Sequence, residues 1–477
     1  MVSFRDMQTA LALLTLAADI LASIHAVLHK RDTRATISWV GLIWLTPLVG
    51  VVLYLLFGLN RIRRQAAELH RARRPTSSLS LQPDPQWLAT PPRPRLRGLA
   101  TLSEKLTHRP LIGGNSVRPL TNGDEAYPEM LAAIDGARTS ISLCSYIFAN
   151  DAAGERFVDG LARAVQRGVE VRVLIDDVGM RYTRPTVWRA LRRGGVRTAR
   201  FLPIVSRSGI AFFNLRTHRK LLVVDGATAF AGGINIHADN VHATHPRHPV
   251  ADVHFRIDGP VVHQFQDVFA EDWAFASRGE QLEGAAWFPP PERAGTVAMR
   301  AISDGPDADF EIVRHLLLGA IASARESISI VTPYFLPDST MIAALSVAAM
   351  RGVRTDIVLP EKGNVALAQW ASRATLWQVL EPGCRVHLSP PPFDHAKLFV
   401  IDRSWALAGT TNWDPRSLRL NFELDFECFD EGFAEAVQTR VDERIARARL
   451  LTLEEADARP FAVRLRDGVA RLMSPYL

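Results

Sequence analysis

The stretch His218-Arg219-Lys220-Leu221-Leu222-Val223-Val224-Asp225 recurs 177 positions later as His395-Ala396-Lys397-Leu398-Phe399-Val400-Ile401-Asp402. The chain carries only five lysines against 51 arginines, and two of the five fall inside these copies. With 14 histidines, chance supplies roughly 0.15 His-x-Lys pairs, and far fewer once an aspartate must follow. In a strand, residues i and i+2 share a face, so each His and its Lys can meet one ligand together. The apolar fillers read as short buried strands. Lysine neutralises a phosphate oxygen as a compact point charge, and histidine can attack phosphorus or carry a proton near neutral pH. One copy is half a site. Two copies brought together surround a single phosphodiester with two histidines and two lysines.

This duplicated pattern resembles the signature of the phospholipase D superfamily, and its flanks extend the likeness. Gly226 and Gly232-Gly233-Ile234-Asn235 follow the first copy; Gly409-Thr410-Thr411-Asn412-Trp413-Asp414-Pro415-Arg416-Ser417 and Asn421-Phe422-Glu423 follow the second. The strings Asn214 to Lys220 and Asn412 to Glu423 are similar to those of bacterial cardiolipin synthases. Arg403 stands where the superfamily often has Gly, and Thr410 where it usually has Ser. The resemblance implies a two-step reaction that requires no metal or other cofactor. One histidine attacks phosphorus to form a phosphohistidine while the other protonates the leaving alkoxide, and the second then activates the incoming alcohol or water. By the family pattern Lys220, Lys397, Asn235 and Asn412 stabilise the pentacovalent state. Asp252 is expected to anchor His218, and Glu423 to anchor His395. His218 is assigned the nucleophile and His395 the acid and base, an order that the residues themselves leave open. Asp225 and Asp402 complete the catalytic motif. At strand ends before turns, though, a cap or ion pair suits them better than a direct part in the chemistry.

The repeat extends beyond the motif. Ala137-Arg138-Thr139-Ser140-Ile141-Ser142 corresponds to Ala324-Arg325-Glu326-Ser327-Ile328-Ser329, and Arg167-Gly168-Val169 to Arg351-Gly352-Val353. Alternating helices and strands in each copy argue for the α/β class, as duplicated phospholipase D-like β/α sandwich halves forming one bilobal catalytic core. The first half is expected over 113–290 and the second, with a C-terminal helix, over 291–477. Cys144, Cys384 and Cys428 are an odd number scattered through expected strands, which reads as reduced core thiols.

The N-terminus is of another kind. Ile37–Leu59 is an uncharged run of 23 residues, enough to span a bilayer. Gln8–Leu28 is also mostly apolar, although it carries Asp19 and His25. Together they predict a membrane anchor over 1–64, a transmembrane helical hairpin with helices at about 8–28 and 37–59. Arg61, Arg63, Arg64, Arg71, Arg73 and Arg74 follow the second run, against Lys30, Arg31 and Arg34 between the two. That excess of positive charge places the catalytic core on the cytoplasmic side of a bacterial inner membrane. The same arginines suit anionic headgroups. Six prolines from Pro75 to Pro94 mark a basic, Pro-rich linker, expected over 65–112.

Other features carry less. His237, His242, His245, His248 and His254 crowd the loop after the first motif, with spacing that matches no standard metal site. Phe212 and Phe213 read as core aromatics or as the lining of an acyl-chain groove. Ala462–Leu477 puts Leu465, Val469, Leu472 and Met473 on one helical face, which favours docking on the core over lying on a membrane. The net charge of +6 is modest. Together these features point to a phosphatidyltransferase of the cardiolipin synthase type, acting on phosphatidylglycerol at a lipid bilayer and not on nucleic acid. A phospholipase D that uses water as acceptor has the same residues in the same roles. A nuclease of the same superfamily is disfavoured by the apolar runs.

Overall fold

The computed structural model describes residues 4–30, 33–55, 85–91, 93–203, 215–306 and 311–474. They belong to two units, divided between residues 69 and 70. In the first unit, helix α1 spans Phe4–His29, α2 Thr33–Leu45 and α3 Val49–Leu53. Within α1, Gln8–His29 is long and apolar enough to cross a membrane. The expected second helix at about 37–59 is interrupted within the described residues, because α2 stops at Leu45. Pro47 has no N–H with which to continue the ladder, and Leu48 takes a φ of 63°. The chain then turns back. Tyr54 lies 5.4 Å from the Trp39 ring, and its hydroxyl is 2.8 Å from Nδ1 of His25. Gly50 permits the turn, since a Cβ there would stand 2.6 Å from Ile43 Cα. Thirteen residues of α2 rise only about 20 Å, short of the roughly 30 Å hydrocarbon core. Residues 56–59 and the arginines at 61–74 lie outside the described residues.

The second unit is one long sheet built of two copies. The first half contributes β1 (Ile112–Thr121), β2 (Ser140–Ser145), β3 (Glu170–Asp176), β4 (Arg197–Phe201), β5 (Arg216–Thr217), β6 (Leu221–Val224), β7 (Thr228–Gly232), β8 (Val250–Ala251) and β9 (Val253–Asp258). The second contributes β10 (Val297–Asp304), β11 (Ser327–Val331), β12 (Arg354–Pro360), β13 (Arg385–Ser389), β14 (Phe393–Asp394), β15 (Leu398–Ile401), β16 (Trp405–Gly409), β17 (Asn421–Cys428) and β18 (Arg449–Leu451). Strand order runs β4-β3-β2-β6-β7-β9-β1-β10-β17-β16-β15-β11-β12-β13-β18. Reading outward from the antiparallel β1–β10 joint, both halves show the same order. Each motif filler is a wholly buried strand, β6 or β15, as its apolar letters require. Each half also keeps its own apolar core, around Phe157 and Leu222 in one and around Leu316 and Phe399 in the other. The three cysteines are buried and free.

Two expectations about the chain's margins change. The linker does not extend to 112: Arg97–Thr107 is a helix whose Leu99 and Ala100, with Leu96, are buried in the core of the second half. Arg95 reaches Asp402 of that half at 3.3 Å. The C-terminal helix Phe461–Leu472 does dock, on Ala366–Arg373, but by its opposite face. Asp467 and Ala470 are buried there, while Leu465, Val469, Leu472 and Met473 stand exposed. Phe212 and Phe213 lie outside the described residues.

The motif aspartates cap backbone, at the strand ends far from the histidines. Asp225 accepts from the N–H groups of Arg138, Thr139 and Ser140, and Asp402 from those of Arg325, Glu326 and Ser327. Both motif ends turn through positive φ, at Asp225 and Gly226 and at Asp402 and Arg403. Arg403 is tolerated because its side chain leaves the turn for Glu435 and Asp442. Gly226 has no such exit: a Cβ there would collide with Trp287 O and Pro289 Cδ. Gly226→Ala should therefore destabilise the protein by about 1–3 kcal/mol. Gly98→Ala, in a helix with nothing near its Cβ, should be neutral or mildly stabilising. Denaturant midpoints of the detergent-solubilised chain test both.

Candidate active site

Two short bridges between the halves assemble the site. β5, just before His218, pairs in parallel with the start of β17, Thr217 opposite Phe422. β14, just before His395, pairs in parallel with β8, Asp394 opposite Ala251. The His218 N–H donates to Phe422 O at 2.8 Å and the His395 N–H to Ala251 O at 2.7 Å. Each histidine is thus pinned to the half that does not carry it, and the two rings face each other with centroids 6.5 Å apart at 82°.

The same bridges decide the carboxylate partners. Nδ1 of His218 meets Glu423 Oε2 at 2.9 Å, and Nδ1 of His395 meets Asp252 Oδ2 at 2.8 Å. The expected pairing is therefore crossed. The residue that follows each bridge on the opposite half is the one within reach, so Glu423 serves His218 and Asp252 serves His395. A proton on Nδ1 directed at the carboxylate leaves Nε2 as the lone pair for chemistry; Nδ1 of His395 also lies 2.9 Å from Lys397 Nζ.

Burial sets the charges. It pushes the His218 imidazolium well below its usual range, helped by Lys220, Lys397 and Arg416, and brings His395 down to about 4. Both rings are neutral at pH 7. Burial also lowers Lys220 to about 7 and Lys397 to about 8. Their ammonium groups turn back onto the carbonyls of His218 and His395, that of Lys220 at 2.6 Å. Burial lifts Glu423 to about 7, although Lys220 opposes it. Asp252 is different: burial works against its charge, but Lys397 and His395 outweigh it and hold the carboxyl below its ordinary value.

The asparagines flank this centre. Asn235 accepts from the Ile147 N–H at 3.0 Å, which leaves its NH2 uncommitted. Asn412 donates to Ser417 Oγ at 3.1 Å while its own carbonyl oxygen is buried without a partner. The reversed amide, accepting from Ser417 and freeing the NH2, would mirror Asn235. Thr410 donates to Glu423 Oε2 at 2.5 Å, so the hydroxyl that replaces serine is in use. The loop histidines disperse: His237 accepts from the Asp239 N–H and His242 bonds to Asn122, while His254 is buried in β9. Among the described residues no three potential ligands gather for a metal.

Several residues of the site were not singled out by the motif. Arg219, the variable position of the first copy, is buried; it donates to Glu423 O at 3.0 Å and pairs with Asp272. Asp176, at the end of β3, holds the Thr217 N–H beside His218. Asp394 is clamped by Arg444 at 2.6 Å and in turn holds the Ala396 N–H. Tyr146 packs its ring 5.2 Å from His218, and Phe393 5.9 Å from His395. Arg219, inside the string from Asn214 to Lys220, and Arg416, inside the string from Asn412 to Glu423, were the two with a visible signal.

Because both lysines lose charge on the alkaline side, affinity for an anionic phosphodiester should fall as pH rises through 7 to 8. The expected kcat/KM profile is level from about pH 5 to 7, falls by up to about tenfold per unit between 7 and 8 as Lys220 loses its charge, and by up to about a hundredfold per unit beyond 8 once Lys397 does too. A rate that stays flat to pH 10 would contradict this charge assignment.

Comparison with known proteins accords with this geometry. The family described as "Cardiolipin synthase, PLD-like domain" matches residues 130–273 and 317–445, and "Phospholipase_D-nuclease N-terminal" matches 17–58. The chain is 32% identical over 468 residues to the major cardiolipin synthase ClsA of Bacillus subtilis, covering 96% of this chain and 97% of that one. It is 32% identical over 466 residues to cardiolipin synthase A of Pseudomonas putida, covering 96% of each. Among solved structures, phosphatidylserine synthase from Haemophilus influenzae shares the fold, with a TM-score of 0.60 at 16% identity, over 80% of this chain and all of that one.

Proposed function

The chain belongs to the cardiolipin synthase family of phospholipase D-like proteins, and we propose that it joins two phosphatidylglycerols into cardiolipin with release of glycerol. One observation carries this reading: two neutral, carboxylate-anchored histidines face each other between two buried lysines. In the first step the bound phosphodiester anion favours protonation of His395 at Nε2; His218 Nε2 forms a bond to phosphorus, the P–O bond to glycerol breaks, and His395 hands that proton to the departing oxygen. In the second, His395 removes the proton from a hydroxyl of the acceptor lipid, whose oxygen attacks phosphorus and displaces His218. The carboxylates favour this order. An ionised Asp252 favours an imidazolium at His395, as an acid requires. The raised Glu423 leaves His218 neutral, as a nucleophile requires.

Lys220 and Lys397, with the NH2 groups of Asn235 and Asn412, are read as fixed donors to the phosphorane oxygens. The acceptor brings a second phosphate, which needs a cation of its own. Arg416 suits that role, lying near enough to depress His218 with no ion-pair partner among the described residues. The substrate lipids stay in the bilayer, and the arginines at 61–74 favour a cytoplasmic catalytic unit.

His218→Ala and His395→Ala should each abolish turnover, and the double variant should be no worse. Substantial activity in either single variant would defeat the shared site. With phosphatidylglycerol as the sole lipid, cardiolipin and glycerol should form in near-equal amounts, and added glycerol should reverse the reaction because the exchanged diesters are nearly isoenergetic. Phosphatidic acid as the dominant product, without cardiolipin at any lipid density, would assign hydrolysis instead.

A further inference from the structure

The C-terminal helix Phe461–Leu472 inverts the usual arrangement of a docked helix. A helix on a water-soluble surface buries its apolar stripe and exposes its charges. Here the buried side holds Asp467 and Ala470. Asp467 is satisfied by Arg459 at 2.6 Å and by Arg466 at 2.7 Å. The outer side holds Phe461, 80% exposed, Leu472 at 72%, and Leu465 and Val469 at 56% each. With Met473 these side chains cover about 120° of the helix circumference. Arg464 and Arg471, both exposed, border the stripe on one side. Arg466 borders the other, its guanidinium held 4.5 Å above the Trp370 ring. The only acid on the helix is the buried one.

The asymmetry extends to the rest of the unit. Among the described residues of the unit, the exposed large apolar side chains other than Leu88 and Tyr182 belong to the second half. Val365 and Trp377 flank the helix that the C-terminal one packs against, and Leu453 begins the helix before it. Between these elements lies a cavity of about 280 Å³, lined by Val365, Leu376, Leu451 and Ala456 and reaching Tyr334. The Tyr334 ring lies 6.4 Å from Phe393, which in turn packs on His395. Glu361, Arg373, Arg449 and Arg459 also line the cavity, and a chain of ring contacts runs from it toward the catalytic centre.

We propose that this outward face of the C-terminal helix, with the apolar side chains around it, is a docking surface that seats the second half on the interface of an anionic phospholipid bilayer. An apolar stripe bordered by arginines matches such an interface, where the stripe enters the acyl boundary and the guanidiniums meet phosphates. The seating rests on the lipid-substrate reading above, since it would present the cavity to the layer that holds the substrate.

Spin labelling of the full chain in vesicles of equal phosphatidylglycerol and phosphatidylcholine tests this. The native cysteines are buried, so Leu465→Cys, Leu472→Cys and, as a control on the first half, Asp159→Cys each offer one reactive thiol. Labels at 465 and 472 should collide with oxygen several-fold more often, relative to a water-soluble nickel chelate, than the label at 159. Equal ratios at all three would overturn the proposal. Labels shielded from both quenchers would also overturn it, with spin–spin broadening then assigning the face to a second copy and its absence to another part of this chain. In a second arm, Phe461→Ser/Leu465→Ser/Leu472→Ser should keep its transfer rate on short-chain phosphatidylglycerol dispersed in detergent and lose about tenfold on vesicles. Equal loss on both would overturn the proposal. Absence of cardiolipin even from the unmutated chain would defeat the enzymatic reading while leaving the collision ratios to decide the docking.

Discussion

The structure depends on the crossed anchoring of two imidazoles. His218 hangs from Glu423 and His395 from Asp252, so neither half owns a complete catalytic histidine. Sequence separations of 205 and 143 residues are closed by two parallel bridges of only two residues each. Those bridges can be short because the antiparallel β1–β10 joint already fixes the halves as one sheet. Separating the halves would part each imidazole from its carboxylate and each lysine from the carboxylate opposite, Lys220 from Glu423 and Lys397 from Asp252, a loss of paired charge that hydration only partly offsets.

That cost explains why so many charged groups surround the centre in pairs. Arg219 with Asp272, Arg300 with Glu427 and Arg444 with Asp394 are all buried or nearly so. Each touches an element that carries a site residue: Arg219 bonds the Glu423 carbonyl, Glu427 lies on β17 with Glu423, and Asp394 adjoins His395. A buried ion pair adds little net stability, but breaking one is expensive, so pairs of this kind favour a single arrangement. The centre itself remains undercompensated. Two lysines pushed down toward neutral pH are a standing electrostatic deficit that a phosphodiester anion relieves, since its charge restores theirs.

What the residues disclosed in advance, and what they concealed, divides along physical lines. The rare lysines marked the motif, and the alternating copies marked the two halves, because both signals are local. The partner of each histidine was concealed, since Asp252 and Glu423 lie at equivalent places in the repeat and only tertiary bridging says which ring each reaches. The helix Arg97–Thr107 was masked by the prolines before it, although Leu96, Leu99 and Ala100 carry a helical spacing. The break at Pro47 was legible in principle, as a proline within an apolar run, but hydropathy averages over the single missing donor.

The C-terminal helix makes the same point from the other side. Periodicity located its stripe of Leu465, Val469 and Leu472 correctly, yet it cannot tell which way a stripe faces. In a protein surrounded by water the direction is dictated, because apolar area turned outward is unfavourable by about 25 cal/mol per Å². In a protein whose substrate resides in a bilayer, a second apolar phase lies beside the core, and that penalty vanishes for any face that meets it. The direction is then set by the polar side. Asp467 needs Arg459 and Arg466 away from water, and satisfying them turns the leucines out. Inversion of a helix is thus a consequence of where its one buried acid finds its partners.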